Sequence, residues 1–288
     1  MTGEEKRSLK YGLAFISPWI LGFASFMLLP MVLSFYYSFC DYSVLNPPAF
    51  LGTQNYQELY YDEVFWVSVY NTVFFAAFAL PLGTITALVL ALLLNSNIRL
   101  LGVFRTIFFL PALVPLVALA ILWQDILHTE YGIVNQILGL VGIGPIDWLG
   151  QPEYAKPGLV LTTLWTVGHP VVIYLAGLQD VPRTLYEAAR VDGANTRQQI
   201  FHITLPMISP VIYFNLIMGC IVVLQIFALP YVMTEGGPAR STLFYSMYLF
   251  DQAFVYLNMG YASAMAWILF GMIAVLTYTA HVISSRFV

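Results

Sequence analysis

Polar side chains set inside long apolar runs are the residues of this sequence with chemistry to offer. His169 stands between Gly168 and Pro170, Trp165 lies one turn earlier, and Asn215 and Gln225 share a single run. Asn71 and Gln124 stand near the ends of two other runs. The chemistry open to such groups is hydrogen bonding, either across neighbouring helices or to a polar solute in a wet passage. For Asn71 and Gln124 we expect helix-to-helix bonds; for His169, Asn215 and Gln225 both readings stay open. Bond-making chemistry finds no pattern here. There is no G-x-x-x-x-G-K-[ST], since the only lysines are Lys6, Lys10 and Lys156, and no G-x-S-x-G or H-E-x-x-H. Cys40 and Cys220 are too far apart for metal or redox spacing and read as apolar fillers. No catalytic residue, metal site or cofactor is expected.

A second kind of functional residue lies in the polar stretch 180–206. Pro182 suits the first turn of a helix and Gly193 the position just past its end. A helix of about 11 residues, roughly 16 Å long, fits between them. Thr196 with Gln199 fits a capping box, so a second helix is expected to lead from there toward Pro206. Within this helix–glycine turn–helix, Ala188 and Ala189 leave the backbone open to close approach, while Glu187 and Asp192 offer charge. On physics alone, an interfacial helix resting Leu185 and Val191 on lipid headgroups is an equal alternative.

The elements that must position these residues follow from charge. Of the 288 residues 60% are apolar and only 9% charged, against about 25% charged in ordinary soluble domains. This is too little polar surface to cover a soluble globule, and it excludes disorder and a nucleic-acid binder alike. All 26 charged residues lie outside six windows: 11–40, 64–98, 106–124, 157–179, 198–234 and 252–285. A helix crosses a bilayer with about 20 apolar residues, and a central charge costs about 3 kcal/mol. We therefore expect an all-α membrane protein with six transmembrane helices near 12–39, 68–94, 106–124, 157–179, 207–230 and 262–284. The first run is longer than the core of a cleaved signal peptide, and unalternating runs exclude a β-barrel. The 46 aromatic residues read mostly as interfacial belts.

Orientation follows from Lys and Arg. Lys6, Arg7, Lys10, Arg99, Arg105, Arg183, Arg190, Arg197 and Arg286 fall on one side; only Lys156 and Arg240 fall on the other. Both termini are then cytoplasmic, with 1–11 a cytoplasmic segment and 12–288 a single transmembrane domain. No charged residue sits inside a predicted span, whereas ion-driven carriers usually keep intramembrane carboxylates. A partner must supply any driving energy.

The stretch 180–206 resembles the EAA loop of binding-protein-dependent ABC transporter permeases. The matching residues are Glu187-Ala188-Ala189, three further residues, Gly193, nine more, and Ile203-Thr204-Leu205-Pro206. The resemblance extends over nearly the whole chain to the maltose-type sugar permeases in their six-helix form. It runs through Ser17-Pro18-Trp19, Phe104-Arg105-Thr106, Gly236-Gly237-Pro238 and Gly260-Tyr261-Ala262-Ser263-Ala264. It implies the type I ABC importer permease fold. It also implies that Glu187, Ala188, Ala189, Asp192 and Gly193 form a coupling helix docked in a cytoplasmic ATPase. In that family the helix after the loop lines the sugar site, which adds Val222, Val223 and Ile226 to Gln225 as candidates. Here the middle of that helix, Ile221-Val222-Val223-Leu224, is more apolar than a sugar site calls for. That leaves much of the contact to a homologous partner.

The resemblance implies a subunit importing a sugar or oligosaccharide by alternating access. Its partners would be a second permease, an ATPase dimer and an extracytoplasmic solute-binding protein. Other readings are an importer of glycerol-3-phosphate or a polyol, an ATP-independent channel or carrier, and a membrane-embedded enzyme.

Overall fold

In a computed structural model, residues 3–96 and 99–284 are described. In chain order the helices begin with α1 (Gly3–Phe23) and α2 (Leu29–Tyr37), followed by strands β1 (Cys40–Ser43) and β2 (Asn46–Phe50). Next come α3 (Gln54–Tyr61), α4 (Glu63–Leu94), α5 (Leu101–Phe109), α6 (Leu116–Ile126) and α7 (Ile133–Leu140). Then follow α8 (Pro152–Trp165), α9 (Gly168–Gln179), α10 (Arg183–Val191), α11 (Thr196–Gln199) and α12 (Leu205–Met207). The last are α13 (Ser209–Leu224), α14 (Ala228–Thr234), α15 (Tyr245–Phe250) and α16 (Met259–Ser284). Three stretches are long and apolar enough to cross a membrane unbroken: Arg7–Tyr37, Glu63–Leu94 and Met259–Val282. Three bent pairs pass the same test together, giving up to six spans when each pair is counted as one. Arg286, one of the residues that set the expected orientation, lies outside the described residues.

Proline placement explains where helices bend. Pro30 and Pro206 cannot donate to the carbonyl four residues back, and in each case the preceding turn widens to a π turn, Ala24–Leu28 and Ile200–Thr204. The third span, expected as one helix over 106–124, is instead α5 and α6 bent by 101°. Pro111 and Pro115 cause this: Val114, forced out of the helical region by the following proline, takes ψ 130°. The fourth span bends by 47° at Thr166–Val167, where Pro170 leaves the Thr166 carbonyl without its helical donor. The distortion expected beside His169 is therefore present. The fifth span bends by 66° between Met207 and Ser209. It then ends at Leu224 rather than near 230, because Pro230 removes the donor for the Ile226 carbonyl.

The chain divides into two compact units. One takes in residues up to Asp62 with Leu249–Gly271; the other takes in Glu63–Tyr248 with the chain from Met272 onward. In the first, the π turn and α2 carry no buried residue, and Phe15, Trp19 and Phe26 are exposed, as a lipid-facing helix requires. The antiparallel hairpin β1–β2 is the departure from an all-helical chain; its Pro47 and Pro48 sit in β2, where an edge strand tolerates them. Buried Asn55 holds the helix-to-strand corner through Nδ2, which donates to the carbonyls of Ser38 and Cys40, both at 2.9 Å. Gly260 is glycine for a steric reason, since a Cβ there would run into the Cys40 carbonyl oxygen.

The second unit is organised along α4, which packs against α8, α9 and α13. Two core clusters sit at different heights on it. One gathers Phe75 and Ala79 with Leu119, Trp123, Leu159, Leu229 and Phe244. The other gathers Ala87, Ala91 and Leu94 with Val171, Tyr174, Leu175 and Ile208. Between membrane helices close packing rather than water exclusion supplies the attraction, so small residues belong at the contacts. Gly219 of α13 shows this: a Cβ there would lie 2.7 Å from Leu80 Cδ1 of α4.

Candidate functional site

Between the two core clusters the second unit has an open cavity of about 810 Å³. On α4 its wall includes Leu80, Gly83 and Thr84, which fall between the clusters. Of the seven predicted pathway residues, His169, Asn215, Val222, Val223, Gln225 and Ile226 line it together. Trp165 does not; it points edge-on at Trp123, with ring centroids 5.7 Å apart.

Each lining residue is placed by a helix or a helix break. His169 opens α9 just after the Thr166–Val167 bend, is exposed, and meets Phe109 edge-on at 5.5 Å. Asn215 is buried on α13, and its Nδ2 donates at 3.1 Å to the Val211 carbonyl one turn back, not to a neighbouring helix. Gln225 caps α13, and its exposed side chain has no hydrogen-bond partner among the described residues. Val223 and Ile226 also pack on the core cluster of Phe75 and Leu119, while Val222 is exposed. Thr84, Thr163 and Thr166 add hydroxyls to the wall. They were not singled out from sequence, although a search for hydroxyls as well as amides inside apolar runs finds them. Gln124 forms the helix-to-helix bonds expected of it, whereas Asn71, expected to do the same, bonds to the non-helical segment after α14. Asn71 Nδ2 donates to the carbonyls of Arg240 and Leu243 at 2.8 and 3.1 Å. Gln124 Nε2 donates to those of Val232 and Met233 at 3.0 and 3.2 Å.

The stretch 180–206 forms two helices joined at a tight turn. Pro182 is the residue before α10 rather than its first, and the helix has nine residues. Its end is a Schellman turn. Gly193, at φ +80°, donates to the Arg190 carbonyl at 3.1 Å, and Ala194 donates to that of Ala189 at 2.8 Å. The next helix starts one residue earlier than expected. Asn195, not Thr196, is the cap; its Oδ1 accepts from the Gln198 N–H at 2.9 Å, and Gln198 Oε1 accepts from the Asn195 N–H at 2.8 Å. Asparagine is the stronger cap residue, which decides the register. Glu187, Ala188, Asp192 and Gly193 are exposed and Ala189 half-buried, while Tyr186 packs inward on the core cluster of Ala87 and Tyr174. The element is a short helix closed at its C-terminal end by the Schellman turn, with small and acidic groups on its outer face.

Residues 79–288 match the family model described as the binding-protein-dependent transport system inner membrane component. The chain belongs to this family. Over 282 residues, this permease is 40% identical to the probable ABC transporter permease protein YesP of Bacillus subtilis (strain 168), covering 96% of this chain and 91% of that one. It is 37% identical to the lactose transport system permease protein LacF of Rhizobium radiobacter, covering 93% of this chain and 91% of that one. Among solved structures it resembles a bacterial ABC transporter involved in the import of the acidic polysaccharide alginate. The TM-score is 0.84 at 26% identity, covering 98% of this chain and 96% of that one. The family's members are transport components of a membrane, not enzymes, and the six apolar spans of this permease accord with that.

Proposed function

We propose that this permease forms, with a homologous second permease, the pathway by which a sugar or oligosaccharide enters the cell. The solute would be handed over by an extracytoplasmic binding protein, and a cytoplasmic ATPase dimer would drive its movement. The observation that carries the reading is the cavity: hydroxyls of Thr84, Thr163 and Thr166, amides of Asn215 and Gln225, and the His169 imidazole stand on an otherwise apolar wall. Neutral donors and acceptors spaced over an apolar surface suit a polyhydroxyl solute better than a phosphate ester, which calls for cations. Relatives support the same class. One is the lactose permease already described; another, 35% identical over 256 residues, is the trehalose/maltose transport system permease protein MalF of Thermococcus litoralis.

In this reading the segment at 180–206 lies in the cytoplasm, as do both termini, and the outer face of α10 docks in the ATPase. Glu187 accepts from a basic ATPase residue, Ala188 and Ala189 allow close seating, and Asp192 and Gly193 shape the turn. ATP-driven closure moves α10, and the helices around the cavity rock between outward and inward openings. The test is uptake into vesicles carrying the reconstituted transporter and its binding protein, across a panel of sugars, polyols and polyol phosphates. Uptake of a sugar that requires ATP supports the proposal; uptake confined to a phosphate ester, or independent of ATP, overturns it.

A further inference from the structure

A second concavity lies on the other side of α9, apart from the cavity above. It is a groove of about 450 Å³ between α5 and α9, closed at one end by Leu94, the last residue of α4. Its floor is apolar and buried at Val171 and Leu175, while Val172 and Ala176 on its rim are exposed. Polarity is graded along it. At one end Phe109 meets the start of α9, with the Phe109 backbone close against Gly168. At the other end of the α9 wall, about 17 Å along that helix, stands Gln179, and Arg105 faces the groove from α5, one turn before Phe109.

Arg105 is the group that calls for a ligand. Its Nη2 donates to the Leu94 carbonyl at 3.3 Å, but its Nε is buried with no hydrogen-bond partner among the described residues. No carboxylate is among the described residues that line the groove; Asp180, next to Gln179, is exposed. Nε itself is shut off from the groove, so a ligand meets Arg105 through the outer guanidinium nitrogens, whose planar fork phosphate oxygens match. A free anion would need no apolar floor, and a purely apolar helix would leave the cation unpaired. The graded groove fits an amphiphile.

We propose that this groove holds one anionic phospholipid, its phosphate on Arg105 and its acyl chain along α9 toward Phe109. Cations at the cytoplasmic membrane surface attract anionic headgroups, and Arg105 lies on the cation-rich side of the chain.

The experiment is native mass spectrometry of the transporter assembled with the full chain, titrated with phosphatidylglycerol and separately with phosphatidylcholine of the same acyl chains. One phosphatidylglycerol per copy of this chain should be retained about tenfold more tightly than phosphatidylcholine. Arg105→Gln should reduce its retention to the phosphatidylcholine level. Val172→Trp, which fills the groove and leaves the cation, should weaken both lipids at this site. Equal retention of the two lipids by the unaltered transporter overturns the proposal, as does retention unchanged in both variants. Displacement of the lipid by millimolar inorganic phosphate would mark a free-anion site instead. A disulfide crosslink from Ala176→Cys to a neighbouring subunit would show the groove covered by protein; either result also overturns it. If Arg105→Gln fails to assemble, the lipid preference of the unaltered transporter and the Val172→Trp result still decide.

Discussion

The Tyr186 hydroxyl lies 3.0 Å from the hydroxyl of buried Thr204. It joins exposed α10 to the π turn that leads through α12 into α13, the helix that carries Asn215 and Val222 into the cavity wall. A direct link between an outer handle and the segment leading into a wall helix is what a mechanical coupling needs. In Tyr186→Phe the bond is lost at about 1 kcal/mol while the ring remains packed. We expect ATP hydrolysis to continue in reconstituted vesicles while solute moved per ATP falls. Unchanged stoichiometry would show that the bond only stabilises the fold.

Gly193 is held at φ +80° with no atom near the place a Cβ would take. The cost of a side chain there is backbone strain of about 1 kcal/mol or more, not a clash within the chain. Gly193→Asp should abolish transport and weaken ATPase retention, with this subunit still inserted in the membrane. Glu187→Lys, which reverses a charge on the outer face, should do the same. Co-purification of the ATPase and uptake assays check both; normal values in both variants would leave α10 a mere surface connection.

Gln225 ends α13 at the cavity with its amide free among the described residues. Gln225→Leu should lower uptake severalfold in vesicles while the assembled transporter remains intact on gel filtration. Uptake and apparent affinity that both match the unaltered protein would make Gln225 a packing residue.

Asn71 clamps two carbonyls of the segment that follows α14. Asn71→Leu leaves both without that donor, at about 1–3 kcal/mol. Thermal unfolding in detergent should shift to lower temperature, and an unaltered midpoint would contradict the role assigned to the clamp.

Membrane orientation is open to direct labelling. In a background lacking Cys40 and Cys220, a cysteine at Gln151 should react with an impermeant thiol reagent from outside, and one at Asn195 only from inside. Both positions are exposed. The opposite pattern would reverse the orientation inferred from Lys and Arg.

Six spans are legible in the sequence because a charge in hydrocarbon is so costly that charged residues mark every boundary. The break beside His169 is legible for a similar reason, with Gly168 and Pro170 flanking one residue. The 101° bend between α5 and α6 is not, although Pro111 and Pro115 are plain to see. A proline states that a helical bond is missing; the size of the resulting bend is set by what packs on either side. The early end of α13 has the same origin in Pro230. Hydropathy treats Ile226-Phe227-Ala228 as good span residues and is blind to the missing donor. The register of the α11 cap turned on neighbouring Asn195 and Thr196, both of which are able to cap. The groove at Arg105 could not be read at all, since α5 and α9 are brought together only by tertiary packing.

Thr166 and Ile226 both line the cavity, and each is the residue whose carbonyl a proline four positions on, Pro170 or Pro230, cannot serve. Two residues of the wall thus carry carbonyls that lack a helical donor, a feature encoded by proline spacing rather than by any polar side chain. Replacing a lining side chain leaves those carbonyls in place. Descendants of such a chain are free to exchange valine, isoleucine or glutamine along the wall, and so retune which solute passes. They still inherit both carbonyls.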